Sequence, residues 1–275
     1  MTYTTGSAGT PADLQQALKT AAAAAGWSVS GNLIFNDGCY FAVTQTASGL
    51  DLSGGTGTSS GSLTGTAPGT LYLGPSADPI AYPCVWHAFA FAGDVYFVVH
   101  YNVEYFQYLA FGKSTVAGLP GTGAWLSATH RATGTSIICD IDGRMGYDYQ
   151  TSAAIFWSRE PSNNYVHHGL DGGGWGNAMN AALGIQPLNA VSPNAWNSEA
   201  ILLPLRAWLS RPSSMVSLVA DLEHARTLRV NNYMPGQILT LGNDEWKVFP
   251  WYRKYISGSI SGQHSNSFGW AIRCQ

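Results

Sequence analysis

One stretch constrains the fold more than any other: AFAFAGDVYFVVHYNVEYFQYLAFG, residues 88 to 112. Three runs rich in Val, Phe and Tyr are separated by a Gly-Asp turn and a short turn containing Asn. Branched and aromatic side chains suit a pleated, half-buried surface better than a helix. Such runs between turn residues read as consecutive antiparallel strands. The signal continues in TSIICDI (135–141), SAAIFWS (152–158), AILLPLRAWLS (200–210) and TLRV (227–230). Helical periodicity is weak from Leu71 onward, apart from a short stretch at Trp175 to Leu183. Many strands with Gly, Pro and Asn turns predict a mainly β chain, an antiparallel β-sandwich or barrel-like domain over 71–275.

One short N-terminal helix stands ahead of this region. Thr10 is placed as its N-cap, Pro11 suits the first turn, and Asp13 lies near the positive end of the helix dipole. Leu14, Leu18, Ala21, Ala22 and Ala25 form a narrow apolar stripe, and Gly26 ends the run. Residues 49–70, GLDLSGGTGTSSGSLTGTAPGT, are of low complexity. A stretch so poor in large apolar groups predicts a long loop, flexible or ordered by a partner. The expected division is therefore helix plus Gly/Ser-rich loop over 1–70 and a structural β domain over 71–275.

Charge narrows the function classes. Only 11 % of the 275 residues are charged, against about 25 % in ordinary soluble domains, and the formal net charge is −3. A protein that neutralises many phosphates needs a basic excess, so nucleic acid is not an expected partner. A surface of Gly, Ser, Thr, Asn and rings suits a chain covered by neighbours, because desolvating charge at large interfaces is costly. No apolar run approaches membrane-spanning length. Cys39, Cys84, Cys139 and Cys274 form no CxxC pair, which removes zinc-ribbon and thioredoxin readings and leaves buried thiols as the expectation.

The remaining motifs give no catalytic constellation. Asp140, Asp142 and Asp148 begin like a calcium loop, but Gly143 comes early and Thr151 stands where a closing Glu belongs. His167 and His168 are adjacent, so on a strand they face opposite ways and do not share a metal easily. Gly57-Thr58-Ser59-Ser60-Gly61 fits GxSxG without the strand and helix that a nucleophile elbow needs. The run Gly172-Gly173-Gly174 lacks the Lys-Ser/Thr of a phosphate loop. No enzymatic activity and no cofactor are expected.

Ten Trp and fourteen Tyr fit either interface anchors or a sugar-stacking face, with Trp175, Trp196 and Trp251 as candidates for the latter. In ILTLGNDEWKVFPWYRKY (238–255), ILTLG and EWKVF read as a hairpin turning at Asn243-Asp244, with Trp246 and Val248 on one face. Pro250 marks a strand end. Trp251, Tyr252, Arg253 and Tyr255, with Trp175, are the expected subunit contacts.

Three segments together resemble one group of tailed-bacteriophage virion proteins. They are VYFVVHYNVEYFQYLAFGKSTVAGLPGTGAWLSATH (95–130), TSAAIFWSREPSNNYVHHGLDGGGW (151–175), and the stretch from SEAILLPLRAWLSRP (198–212) through EHARTLRVNNYMPGQILTLGNDEWKVFPWYRKY to NSFGWAIRC. The resemblance implies a structural component of the virion, in tail or baseplate, with a head-decoration or joining role as a close second. It implies copies of itself and other virion proteins as partners, assembly in the host cytoplasm, and no catalytic residues. A carbohydrate- or receptor-binding module at the tail tip, with a host surface glycan as ligand, is the alternative from a different class.

Overall fold

A computed structural model describes residues 1–131, 155–156, 164–177, 201–253 and 268–275. The N-terminal third runs β1 (Thr2–Ala8), α1 (Pro11–Ala24), β2 (Ser28–Ser30), β3 (Leu33–Asn36), β4 (Cys39–Gln45), β5 (Leu50–Gly55), β6 (Gly57–Ser59), β7 (Ser62–Thr64) and β8 (Leu71–Leu73). The middle runs β9 (Cys84–Ala90), β10 (Asp94–Tyr101), β11 (Tyr105–Lys113), β12 (Ala124–Ala128), β13 (Asn164–His167) and β14 (Trp175–Gly176). The C-terminal part holds β15 (Leu203–Arg211), β16 (Met215–Arg229), β17 (Ile238–Leu241), β18 (Asp244–Pro250) and β19 (Phe268–Arg273). The chain is mainly β, with antiparallel sheets and one α-helix near its N-terminus.

The strands form three layers. A central seven-stranded sheet has the order β1-β9-β10-β11-β12-β13-β14. One face meets α1 and the N-terminal sheet β2-β3-β4-β5-β8, through Phe97, Val99, Leu109 and Phe111 against Leu14, Leu18, Phe41 and Leu52. The other meets the C-terminal sheet β15-β16-β19-β18-β17, through Phe89, Tyr96, Tyr108 and Trp125 against Leu222, Phe249, Trp251 and Trp270. Central strands covered on both sides need no polar face, which explains the near-continuous apolar runs at 88–112. The expectation of a half-buried surface there gives way to full burial of nearly all of β10 and β11.

The helix forms where its signals place it. Thr10 Oγ1 accepts from Asp13 N at 3.2 Å, and Gly26 closes the helix with φ +96°. Its buried stripe includes Gln15, whose Nε2 donates to Val43 O at 2.6 Å and so ties the helix to the N-terminal sheet. Gly112 is required by a close approach: a Cβ there would stand 2.5 Å from Gly93 O.

Four sequence expectations change. Residues 49–70 are not one long loop: Leu50 and Leu52 of β5 are wholly buried and pair with Leu73 and Leu71 of β8, while β6 and β7 form a hairpin. Two alternating leucines suffice to seat a strand when a preformed neighbour supplies the rest of the core. The boundary at residue 70 also disappears, because β1 pairs along its full length with β9 and α1 shares a core with β9–β12. Trp175 and Gly176, expected to open a short helix, lie on a strand paired to β13, and residues 178–183 lie outside the described residues. Finally, Thr227, Leu228 and Arg229 of TLRV belong to the long strand β16, whose two register shifts against β15 hide its period.

Candidate functional site

The expected contact residues divide between interior and surface. Trp251 is 1 % exposed and stacks on Trp270 at 4.6 Å, with Tyr108 tilted at 5.8 Å. Tyr252 is buried beside it, edge-on to Tyr105 at 5.4 Å, and its carbonyl accepts from Phe106 N at 2.8 Å. Both are therefore core residues and not surface anchors. Pro250 ends β18, and Trp251 and Tyr252 join Phe249 in the ring-lined core. Arg253 lies over the Tyr105 ring at 4.9 Å and pairs with Glu104 at 3.1 Å, an internal clasp on the β10–β11 turn. Trp175 is half-buried, and its Nε1 donates to Gly65 O at 2.7 Å. Tyr255, Trp196, Cys139 and the trio Asp140, Asp142 and Asp148 lie outside the described residues.

The hairpin at 238–250 forms as expected, with its turn one residue earlier. Leu241 pairs with Asp244, so Gly242 and Asn243 make the loop, and Gly242 takes φ +63°. Trp246 and Val248 pack on Leu228, Val230 and Ala271. Arg226 sits 4.9 Å over the Trp246 ring. Phe249 enters the ring-lined core on the opposite face, and Lys247 reaches 5.2 Å over the Tyr3 ring. One side of the hairpin is thus consumed by the fold and the other is not. Ile238 is 47 % exposed, Leu241 60 % and Met234 73 %, all on or beside β17, the last strand of its sheet. An apolar sheet edge open to solvent is the arrangement most suited to binding another chain.

Polar groups that the sequence did not single out are organised inside. Asp78 Oδ2 faces His130 Nε2 at 3.0 Å, and Tyr101 OH donates to Asp78 Oδ1 at 3.2 Å. Gln107, fully buried, donates through Nε2 to Tyr101 OH at 2.6 Å and to Asp78 O at 3.0 Å, and accepts from Gly74 N at 2.6 Å. Burial first, then the Asp78 charge, holds the Tyr101 and Tyr252 phenols well above their ordinary range. A second cluster joins Asp94 Oδ2 to Tyr96 OH at 2.7 Å and Asp94 Oδ1 to His224 Nδ1 at 2.8 Å, with His224 stacked on Phe91. These clusters satisfy one another and pin loops and sheets together. Nothing in the local sequence marks Asp78, because its partners come from four distant segments.

The other motifs resolve into turns. Thr122 N donates to His167 Nδ1 and Leu170 N to His168 Nδ1, each at 2.9 Å, and burial keeps both rings below their ordinary pKa. Those Nδ1 atoms are taken as acceptors. Among the described residues no three His, Cys, Asp or Glu side chains gather closely enough to hold a metal ion. Gly57–Gly61 covers β6 and the turn into β7, with Ser60 at φ +50°. A shallow cavity of about 280 Å³ lies among Asp37, Lys113, Ser114 and Thr122, where Lys113 and Asp37 neutralise one another. Cys39 and Cys84 are free and buried, which pushes each thiol up to about 11, so both stay protonated and unreactive at neutral pH.

No protein-family model matches the chain, and none of the curated proteins matches it. Among the described residues no helix is long and apolar enough to cross a membrane.

Proposed function

We propose that this chain is a structural subunit of a bacteriophage particle, in the tail or baseplate, that works by assembling with copies of itself and with other virion proteins. The observation that supports assembly is the open apolar edge formed by Met234, Ile238 and Leu241 on the C-terminal sheet. The virion assignment rests on the resemblance of the segments at 95–130, 151–175 and 198–274. In this reading the three layers are a rigid frame, and interaction energy comes from apolar contact at strand edges and loop tips. Val103, 88 % exposed at the β10–β11 turn and held at φ +66°, is a second exposed apolar tip. No cofactor and no chemical step enter the reading.

Mass spectrometry of purified particles tests the virion assignment. The chain should be present in a fixed copy number, and its absence ends the assignment. Light scattering of the purified chain tests assembly, with mass expected to rise with concentration.

A receptor-binding role at the tail tip has its own supporting observation. Phe35 and Tyr40 stack at 5.4 Å and 15° on the N-terminal sheet, half-exposed. Stacked, half-exposed rings suit the apolar face of a sugar. Binding on a glycan array that Tyr40→Ala abolishes would favour this role; an empty array would remove it.

A further inference from the structure

The strand order leaves β17 with β18 on one side and, among the described residues, no strand on the other. The hairpin register fixes which of its backbone groups face outward. Leu241 and Asp244 close a two-residue turn, and hydrogen-bonded and non-bonded pairs alternate along an antiparallel ladder. Leu239 and Leu241 therefore direct their N–H and C=O groups at β18, while those of Ile238 and Thr240 point away from it. The ladder continues past the strand end, since Gly236 N donates to Val248 O at 2.7 Å and Val248 N donates to Gln237 O at 2.9 Å. Gly236, at φ +82°, and Gln237 thus both face Val248 as a bulge, and the regular open edge spans 238–241.

Natural sheet edges are usually defended by charge, proline, a bulge or brevity. From Gly236 to Asn243 this edge carries no charged residue and no proline. Ile-Leu-Thr-Leu is also a sequence of high β propensity. Brevity and the bulge at Gly236 limit how far this edge pairs, and over Ile238–Leu241 neither charge nor proline blocks it.

Resting on the assembly reading above, we propose that β17 pairs with β17 of a second copy, antiparallel across a twofold axis, so that two five-stranded sheets become one sheet of ten. A twofold contact requires a self-complementary surface. Two registers satisfy the outward groups: Thr240 opposite Thr240, or Ile238 opposite Thr240. In either one, positions of the same parity lie opposite. Leu239 and Leu241 then share a face with the same leucines of the other copy, and Ile238 and Thr240 share the opposite face. No like charges meet anywhere along the edge, which is what favours a second copy over a partner of unrelated charge. Pairing one short edge buries less than a standard interface of about 1,600 Å², so association in the micromolar range is expected. Repetition of that weak contact within an assembly raises it through effective concentration.

The test is sedimentation velocity of the intact chain from roughly 1 µM to a few hundred µM, on wild type, Thr240→Pro and Leu241→Lys. Proline at 240 removes an outward N–H that the single chain does not use, and edge strands tolerate it. Lysine at 241 puts a charge opposite Leu239 or Gln237 of the other copy, where pairing would desolvate it. Wild type should dimerise with concentration, and both variants should raise the midpoint at least tenfold with unchanged circular dichroism. An oligomer that neither variant weakens overturns edge pairing and leaves the assembly reading standing. A wild-type chain that stays monomeric throughout and enters particles equally well with Thr240→Pro overturns self-pairing and any role of this edge in assembly. A monomer whose incorporation into particles is nevertheless lost with Thr240→Pro assigns the edge to a different virion protein and overturns self-pairing.

Discussion

The same central strands supply two interfaces of different chemistry. Toward the N-terminal sheet they present Val95, Phe97, Leu109, Phe111 and Leu126, which meet leucines, valines, Trp27, Phe41 and the alanine stripe of α1. Toward the C-terminal sheet they present Phe89, Tyr96, Tyr108 and Trp125, which meet Phe249, Trp251 and Trp270. Small aliphatic side chains can settle when one is trimmed. Rings locked edge-on or stacked cannot, since each contact depends on orientation as well as distance. The ring-lined interface also carries polar handles: Tyr108 OH meets Ser127 Oγ at 3.1 Å, and Tyr3 OH meets His87 Nδ1 at 3.0 Å. The N-terminal side, where Phe41, Phe97 and Phe111 are mixed with aliphatic side chains, is therefore expected to be the more tolerant, and the ring-lined side the more brittle.

The largest expected effect is at Trp270, 1 % exposed and in contact with Trp251, Tyr108 and Tyr96. Trp270→Ala should cost about 3–5 kcal/mol in urea unfolding. A cost below about 1 kcal/mol would show that the ring-lined layer can collapse after all.

Acid should act on the same side. Burial, then Lys247, lowers His87 to about 4 from an ordinary 6.5, so the unfolded chain takes up the proton first as pH falls. Stability held above pH 6.5 is thus lost progressively down to about 4, by up to roughly 3 kcal/mol. His87→Phe should lose less stability than wild type between these limits, and parallel curves for the two proteins would refute the assignment.

On the N-terminal side, Leu18 of α1 is fully buried. Leu18→Ala should cost about 2–3 kcal/mol, at the low end for such truncations, because a helix faced mainly with alanine can move into the space. A loss above that of Trp270→Ala would reverse the contrast between the two faces. The smallest effect is expected away from both interfaces: Leu241→Lys on the open edge should change stability by less than about 0.5 kcal/mol.

The strands at 88–112 were legible because three runs of β-prone residues stood between clear turn signals. The helix was legible because Thr10, Pro11 and Gly26 bracket an apolar stripe. β5 was not, because Leu50 and Leu52 lie in a glycine- and serine-rich context that carries no periodicity of its own. The hairpin at 238–250 was read correctly as scaffold, but Trp251 and Tyr252 were misplaced on the surface. A ring next to Arg253 looks the same in sequence whether it faces solvent or a second sheet. The Asp78 and Asp94 clusters left no trace, since each draws partners from segments far apart in the chain.

Local chemistry alone determined that this chain is mainly β, carries one capped helix near its N-terminus, and turns at 238–250 through a hairpin with Trp246 inward. Those features depend on periodicity, turn residues and capping, all of which act within a few positions of one another. Tertiary structure decided that the central strands are covered on both faces, that Trp251 and Tyr252 are core, and that Ile238 and Leu241 remain in solvent. Burial depends on which sheet packs against which, and that is a property of the whole chain.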